Sequence, residues 1–249
     1  MIAADGRVAM VSGPARGLGR ALAERLRADG YALSLGGRNV EAIESMVARW
    51  TSAGDTASDA GNGGPAVSVH HFDATDVDSA RAWVDGTVER HGRIDVLVNN
   101  AGLLETFGLD DYAEAGFDAM WQINVKAPTL LTHLTLPHLR RAGNGRVVNV
   151  ASLSGKRVKG GFAPGYAMTK HAMMALTHAT RQHGWDDGVR AVALCPSFVD
   201  TEMIAEVDTG SDPVIDPADL AALVSTTLAL PDSASVAELH VNCRLEDAL

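Results

Sequence analysis

The sequence is poor in cysteine. Its 249 residues include two, Cys195 and Cys243, which lie far apart and lack the short spacings of metal-binding pairs. Because each falls in an apolar run, we expect buried free thiols, which suit a reducing cytoplasm. Nine histidines are scattered along the chain, and the adjacent pair His70-His71 would point to opposite faces of a strand. The sequence therefore predicts no metal site.

The chain also lacks long hydrophobic runs and an excess of positive charge. No stretch reaches the roughly 18 apolar residues of a membrane span. The first apolar run is too short for a signal peptide and is cut by Gly13 and Pro14. The formal net charge of −10 argues against a nucleic acid or an anionic membrane as the main partner, because both repel an acidic surface. We expect a cytoplasmic protein with neither partner.

Apolar runs of strand length alternate with amphipathic segments. Apolar residues make up 46% of the chain, enough for a sizeable core, and the length suits one large α/β domain. The pattern predicts a single-domain Rossmann fold over residues 1–249, with a doubly wound parallel sheet of about seven strands and helices on both faces. The predicted strands are residues 8–11, 32–35, 67–72, 94–98, 146–151, 189–195 and 239–242.

Three other stretches carry predictions of their own. Residues 54–66 are rich in Gly, Asp, Ser and Ala and indicate a surface loop. Residues 110–140 predict a long helix that Pro128 and Pro137 kink or split. Residues 202–216 indicate a mobile lid, which we expect to shape a substrate pocket together with residues 103–111.

A glycine-rich turn follows the first strand. Gly13, Gly17 and Gly19 form a Gly-x-x-x-Gly-x-Gly pattern before an amphipathic segment, unlike the commoner Gly-x-Gly-x-x-Gly. Such a turn leaves bare backbone N–H groups at the positive end of a helix, where a pyrophosphate binds well. A plain tight turn is the alternative, but the strand–turn–helix context favours the phosphate site.

The end of the second strand lacks the acidic residue that selects NAD in dinucleotide folds. Arg38 stands there instead, and Arg16 lies in the glycine turn. Two guanidinium groups suit a ribose 2′-phosphate, because arginine binds phosphate with a planar fork of donors. We therefore predict NADP(H), against the alternative of two solvated surface arginines. Asp73, just past the third strand, is positioned either to accept from an adenine amino group or to cap the next helix, a role that Thr75 or Asp76 also fits.

Tyr166 and Lys170 stand four residues apart, which places both on one face if the segment is helical. An ammonium near a phenol favours the phenolate, so we expect the pKa of Tyr166 to lie well below its usual value of about 10. Such a tyrosine is a general acid or base near neutral pH. A hydroxyl from Ser152 or Ser154 is placed to hold a substrate carbonyl. The plain alternative is a surface aromatic beside a solvated amine.

These motifs together resemble the short-chain dehydrogenase/reductase family over nearly the whole chain. The resemblance rests on Ser12-Gly13-Pro14-Ala15-Arg16-Gly17-Leu18-Gly19, on Asn99-Asn100-Ala101-Gly102, on Ser152 with Tyr166-x-x-x-Lys170, and on Pro196-Ser197 leading to Thr201. Asn124 lies mid-helix, where asparagine is a poor choice for propensity alone. The four motifs in this order are specific for the family and carry little information about a substrate.

The resemblance implies a role for each site residue. Tyr166 would exchange the proton at the substrate oxygen, Lys170 would lower the pKa of Tyr166 and bind the nicotinamide ribose, Ser152 would polarise the carbonyl, and Asn124 would hold a water of a proton relay. The implied cofactor contacts are Gly13, Arg16, Gly17, Leu18, Gly19, Arg38, Asp73, Ala74, Asn99, Asn100, Ala101, Gly102, Tyr166, Lys170, Pro196, Val199 and Thr201.

The chain departs from the family pattern at a few points. Ser12 replaces the usual threonine and keeps its hydroxyl, and Ser197 replaces a common glycine. Ser152 precedes Tyr166 by fourteen residues, one more than is common, with the extra residue assigned to residues 159–161. We prefer Ser152 to Ser154 because it directly follows the strand. The C-terminal residues lack the Asp-Gly-Gly ending of many members.

The resemblance implies an NADP(H)-dependent oxidoreductase that interconverts a ketone or aldehyde and an alcohol. A homo-tetramer or homo-dimer is implied as well. Two alternatives remain at this point: a catalytically dormant NADP(H)-binding regulatory protein, and an epimerase or dehydratase on the same fold. The intact Asn124, Ser152, Tyr166 and Lys170 argue against the first, and the short chain argues against the second.

Overall fold

A parallel sheet forms the centre of the fold. The computed structural model describes residues 1–52, 65–158, 161, 163–205, 207 and 213–245, and within these ranges seven strands pair in the order β3-β2-β1-β4-β5-β6-β7. The strands are β1 (Val8–Ser12), β2 (Ala32–Gly37), β3 (Val67–His71), β4 (Val96–Asn99), β5 (Arg146–Val150), β6 (Arg190–Pro196) and β7 (Glu238–Val241). Every pairing is parallel. The predicted fold class is confirmed, and each predicted strand lies within two residues of an observed one.

Helices cover both faces of the sheet. They are α1 (Gly17–Ala28), α2 (Val40–Ser52), α3 (Val77–His91), α4 (Glu114–Trp121), α5 (Ala127–Ala142), α6 (Pro164–Gly184) and α7 (Pro217–Leu228). Because side chains alternate along a strand, Val11 of β1 packs with Leu22 of α1 on one face, while Met10 packs with Trp83 of α3 on the other. All four side chains are fully buried or nearly so, so both layers belong to the core.

The order of the sheet reverses beside β1. Its chain continues on one side to β2 and β3 and on the other to β4 and β5. In open parallel sheets this reversal opens a crevice at the carboxyl ends of the strands, where ligands bind. The turns after β1, β4 and β5 all open at that edge, and they carry the glycine turn, residues 99–102 and Ser152.

The long helix predicted over residues 110–140 begins later and divides once. It starts at Glu114, and a π-helical turn over Gln122–Lys126 separates α4 from α5. The N–H of Ala127 bonds to the carbonyl of Gln122, five residues back. Pro128 stands in the first turn of α5, directly after the π-helical turn, and has no N–H to continue the hydrogen bonds of that turn. Pro137 lies inside α5 without ending it. The predicted interruption is therefore found next to Pro128 and not at Pro137.

Candidate active site

The glycine turn brings the backbone of Gly19, at the start of α1, very close to the backbone of Gly13. Gly13 and Gly17 have φ angles of +65° and +51°, a region that side chains with a Cβ rarely adopt. A Cβ on Gly19 would overlap the carbonyl oxygen of Gly13 and the side-chain nitrogen of Asn100. The turn therefore depends on glycine at each of the three predicted positions.

The first turn of α1 has no side-chain cap. Its N-cap residue Arg16 makes no capping hydrogen bond, and the turn carries no acidic residue. By contrast, Asp76 caps α3 and Asp216 caps α7, each by accepting from a backbone N–H. The uncapped N–H groups and the positive end of the helix dipole form a site for an anion.

Polar side chains of the first and fourth strand ends hold this turn in place. The hydroxyl of Ser12 accepts from the N–H groups of Asn100 and Ala101 at 2.9 and 3.0 Å. Asn100 Nδ2 donates to the carbonyl oxygens of Ser12 and Gly13 at 2.9 and 3.0 Å. The serine in place of the family's threonine thus keeps a hydroxyl that the structure uses.

Asn99 does not line the cleft as predicted. Its side chain is buried and donates to Thr132 at 3.2 Å and Asn149 at 2.8 Å, beneath the sheet edge. Asn99 is the last residue of β4, and successive side chains of a strand point to opposite faces. Asn100, one residue later, reaches the glycine turn instead.

Charged groups lie at the outer end of the cleft. Arg16 and Arg38 are exposed and line the cleft, and neither guanidinium group forms a hydrogen bond or ion pair with another residue in the part of the chain that the structure describes. Asp73 accepts from the N–H and the hydroxyl of Thr75, which hold the pKa of its carboxyl below the usual value, and the Arg38 guanidinium adds to that effect. Asp76 rather than Asp73 caps α3.

Ser152, Tyr166 and Lys170 meet at the inner end of the cleft. The N–H of Ser154 donates to Ser152 Oγ at 3.1 Å, and the Ser152 hydroxyl lies close enough to the Tyr166 phenol to oppose the rise in its pKa. Lys170 Nζ donates to the carbonyl of Val150 at 2.8 Å and lies 5.4 Å from the centroid of the Tyr166 ring. Ser152 lines the cleft, and Ser154 supports it from behind.

The pKa values of this group differ from the sequence-based expectation. Burial raises the pKa of Tyr166 to about 12, against which the Ser152 hydroxyl acts. Burial also lowers the pKa of Lys170 to about 8, with the Cys195 thiol acting in the opposite direction. The prediction that Lys170 holds the pKa of Tyr166 below about 10 is wrong for this structure. The Lys170 ammonium bonds to Val150 over the face of the ring, and loss of water outweighs its charge.

Asn124 lies behind the wall of the cleft and does not line it. It stands in the π-helical turn, 1% exposed, where it exchanges two hydrogen bonds of 2.8 Å with the backbone of Leu103. Its Nδ2 also donates at 3.0 Å to Thr169, whose hydroxyl donates to the carbonyl of Tyr166. Asn124 thereby connects Leu103 in the cleft wall to the helix of Tyr166 and Lys170.

These parts enclose one cleft of about 340 Å³. Every predicted cofactor contact except Asn99 lines it. Besides Ser152, the lining residues that the sequence did not predict as cofactor contacts are Gly37, Phe72, Leu103, Ile123, Val150, Ala151, Ser197, Glu202, Met203 and Ile204. Several directly end or follow strands, a position that could have revealed them, whereas Ile123 depends on the π-helical turn.

The predicted lid is described only in part. A short 3₁₀ turn, Glu202–Ile204, lines the cleft, and Val199 pairs with Ile215 across the base of the segment. Residues 206 and 208–212 lie outside the described ranges, as do residues 54–64 of the predicted surface loop and residues 159 and 160 of the predicted insertion before Tyr166.

Both cysteines are free thiols, with Cys195 buried and Cys243 partly so. None of the helices in the described ranges has both the length and the hydropathy that crossing a bilayer requires. The same part of the chain holds no group of three or more His, Cys, Asp or Glu side chains arranged to bind a metal.

A Rossmann-type sheet with an uncapped glycine turn and a Ser–Tyr–Lys group in one cleft defines a class of dehydrogenase. The model of the short chain dehydrogenase family matches residues 7–212. The chain belongs to this family and is an oxidoreductase.

Individual relatives agree with this assignment. The chain is 44% identical over 246 residues to agropine synthesis reductase of Rhizobium rhizogenes, covering 96% of this chain and 53% of the relative. It therefore spans about half the length of the agropine synthesis reductases it matches.

Two solved structures are similar over nearly the whole chain. The alcohol dehydrogenase of Thermococcus sibiricus, complexed with 5-hydroxy-NADP, has a TM-score of 0.82 and 30% identity, with 94% of this chain and 95% of that one covered. A short chain dehydrogenase of Burkholderia cenocepacia in complex with NADP has a TM-score of 0.85 and 26% identity, with 97% and 98% covered.

Proposed function

We propose that this chain is an NADP(H)-dependent oxidoreductase that interconverts a ketone or aldehyde and an alcohol, with Tyr166 as the acid/base group. The observation that carries the proposal is that Ser152, Tyr166 and Lys170 share one cleft with an uncapped glycine turn. The NADP complexes of similar structures and the reductase and alcohol dehydrogenase names of relatives support it.

The residues of the cleft fit a dinucleotide phosphate. The glycine turn leaves no room for a Cβ at Gly19, and the free N–H groups of α1 suit a pyrophosphate. At the outer end, the guanidinium groups of Arg16 and Arg38 form no hydrogen bond or ion pair with the described residues, so both are available to a ribose 2′-phosphate. Asp73 uses one carboxylate oxygen for Thr75 and keeps the other for an adenine amino group.

Bound in this cleft, NADPH supplies a hydride for a substrate carbonyl carbon. Ser154 donates to Ser152 Oγ and so leaves the Ser152 hydrogen for the Tyr166 oxygen or a substrate carbonyl oxygen. Tyr166, with a pKa of about 12, keeps its proton at neutral pH and can donate it to the developing alkoxide. A protonated tyrosine is the form that a general acid in carbonyl reduction requires.

Lys170 remains mostly charged at neutral pH because its pKa is about 8. An ammonium has three donors, of which one binds Val150, so the others are available to hydroxyls of a nicotinamide ribose. Asn124 acts on this group from a distance, through Leu103 and Thr169.

A homo-dimer or homo-tetramer is part of this proposal, and light scattering tests it.

The test is the replacement of Tyr166 by Phe. Loss of a general acid costs about 10²–10⁴ in rate, so NADPH-dependent reduction of a carbonyl substrate should fall by that factor, while NADPH binding, measured by fluorescence titration, stays unchanged. Ser152→Ala should lose most activity as well, whereas the matched control Ser154→Ala keeps its N–H group and should remain close to wild type. Tyr166→Phe activity near the wild-type rate would reject the assignment.

A further inference from the structure

A carboxylate outside the cleft gathers three donors. Glu238 begins β7, the last strand of the sheet. Its Oε2 accepts from Lys156 Nζ and from His240 Nε2, both at 2.9 Å, and its Oε1 accepts from His178 Nε2 at 2.8 Å. The Glu238 side chain is 19% exposed. The hydrogen bond from Lys156 is the main reason that the pKa of Glu238 falls to about 2, so the carboxylate is ionised at any working pH.

Two of these donors belong to the segments that carry the reactive side chains. Lys156 stands four residues after Ser152, just past the 3₁₀ turn Leu153–Gly155. His178 stands eight residues after Lys170 on α6, about two helical turns further along the same helix. Glu238 therefore joins the turn that carries Ser152 and the helix that carries Tyr166 and Lys170 to the edge strand of the sheet.

The 3₁₀ turn after Ser152 and helix α6 are also in direct contact closer to the cleft. A Cβ on Gly155 would lie 2.6 Å from the carbonyl oxygen of Lys170, so the 3₁₀ turn rests directly on the backbone of α6. Leu153 of the turn also packs in a buried apolar cluster with two methionines of α6, and such packing is attractive but not directional. The Glu238 carboxylate adds a directional link, because it holds a donor from each segment within hydrogen-bond distance.

We propose that Glu238 is a positioning residue, which fixes the turn of Ser152 against the helix of Tyr166 so that the two hydroxyls keep their relative position in the cleft. This inference rests on the proposed carbonyl–alcohol chemistry at those two side chains. Displacement of a reacting group by about 1 Å is enough to cost about 10²-fold in rate. Glu238 touches neither the cleft lining nor a reacting atom, so it acts only through Lys156 and His178.

The test is a kinetic comparison of Glu238→Gln with Asp232→Asn. Glutamine keeps the shape of Glu238 but loses the charge and one acceptor. We expect kcat for carbonyl reduction to fall roughly ten- to a hundredfold, while the Kd for NADPH changes less than about twofold, because the glycine turn and Arg38 are untouched. Asp232→Asn also removes a carboxylate from an ion pair, the one with buried Arg146. It should lower the melting temperature and leave kcat unchanged.

A second readout does not depend on turnover. In Glu238→Gln, amide hydrogen exchange of residues 152–158 should become faster, and in Asp232→Asn it should not. Exchanging the charges with Lys156→Glu and Glu238→Lys restores an ion pair between the turn and β7, so it should recover part of the lost kcat. Lys156→Met alone should show the same loss in a milder form.

The outcomes separate this inference from the proposed function. An active wild type whose kcat and exchange rates are unchanged in Glu238→Gln would overturn the positioning role. A parallel loss of kcat, NADPH affinity and melting temperature in both Glu238→Gln and Asp232→Asn would overturn it as well, because the effect would then be general destabilisation. A wild type that binds NADPH but reduces no carbonyl would instead refute the proposed function.

Discussion

Replacing Lys170 by Met should make the protein more stable while abolishing its activity. Lys170 is 5% exposed, and burial lowers its pKa from the ordinary value of 10.5 to about 8. At about 1.4 kcal/mol for each pH unit, keeping this ammonium charged in the folded chain at pH 7 costs about 3 kcal/mol. Methionine has a similar length and no charge, so it removes that cost.

Part of the gain is offset by the lost hydrogen bond from the ammonium to the carbonyl of Val150, worth about 2 kcal/mol because its donor is charged. The net stabilisation at pH 7 is then about 1 kcal/mol. For a chain of 249 residues, with an unfolding entropy of about 2.1 cal/mol/K per residue, this raises the melting temperature by about 2 °C. Activity should be lost in the same variant, because the buried charge is retained for function.

The difference in stability should also depend on pH in a defined direction. Between pH 8 and 10.5 folded Lys170 has released its proton while the unfolded chain still holds one, so the free energy of unfolding of the wild type rises with pH in this window. The advantage of Lys170→Met should be constant below about pH 8 and should shrink by about 3 kcal/mol up to pH 10.5.

Urea unfolding of both proteins, followed by tryptophan fluorescence from pH 7 to 10.5, measures this difference. Burial raises the pKa values of Tyr166 and Cys195 to about 12, which makes stability fall with pH, and the subtraction of the two curves removes that common effect. A stability difference independent of pH, or a Lys170→Met variant less stable than wild type at pH 7, would refute the reasoning.

Three further predictions concern the cofactor end of the cleft. Arg38→Ala should weaken NADPH binding, measured by calorimetry, about ten- to a hundredfold, which is the free energy of one charged hydrogen bond, and should leave NADH binding unchanged. The control is Arg20→Ala, which removes a guanidinium group that pairs with Glu24 outside the cleft. Equal losses of NADPH affinity in both variants would argue against a 2′-phosphate site. Gly19→Ala should abolish NADPH binding and lower the melting temperature, since the added Cβ overlaps the glycine turn. A variant that binds NADPH with wild-type affinity would show that the glycine turn does not hold the cofactor. Glu202→Gln should tighten NADPH binding about threefold or more. A Glu202 carboxylate oxygen lies 3.7 Å from the position of a Cβ built on Gly17, where it would repel a pyrophosphate. Unchanged or weaker NADPH binding would show that the carboxylate does not lie beside the pyrophosphate.

Local patterns were enough to predict the fold. Buried runs of four to seven residues alternate with amphipathic segments, and a parallel sheet with crossover helices is the arrangement that covers both faces of such strands. The Tyr166–Lys170 spacing and the glycine turn depend only on local geometry, and the structure has this pair on one helix and the glycines at the start of α1, as the patterns predicted. The choice of Ser152 over Ser154 as the residue that lines the cleft also followed from its place directly after β5.

The remaining features depend on tertiary packing. The π-helical turn that holds Asn124 is stabilised by hydrogen bonds to Leu103 and Thr169, which no local propensity reveals. The direction of the Tyr166 pKa was predicted wrongly because burial, which sequence spacing does not report, outweighs the neighbouring ammonium. Whether Asn99 or Asn100 faces the cleft is decided by the exact end of β4, the least certain part of a strand prediction.

The most direct measurement of the central claim follows the hydride itself. NADPH that carries deuterium at both C4 positions of the nicotinamide is incubated with the wild-type protein and a panel of ketones and aldehydes, and the products are examined by mass spectrometry and NMR. We expect deuterium on the carbinol carbon of a product alcohol, in equal amount to the NADPH consumed, and no transfer with Tyr166→Phe. A wild type that transfers no deuterium to any carbonyl, or a Tyr166→Phe variant that transfers it at the wild-type rate, would contradict it.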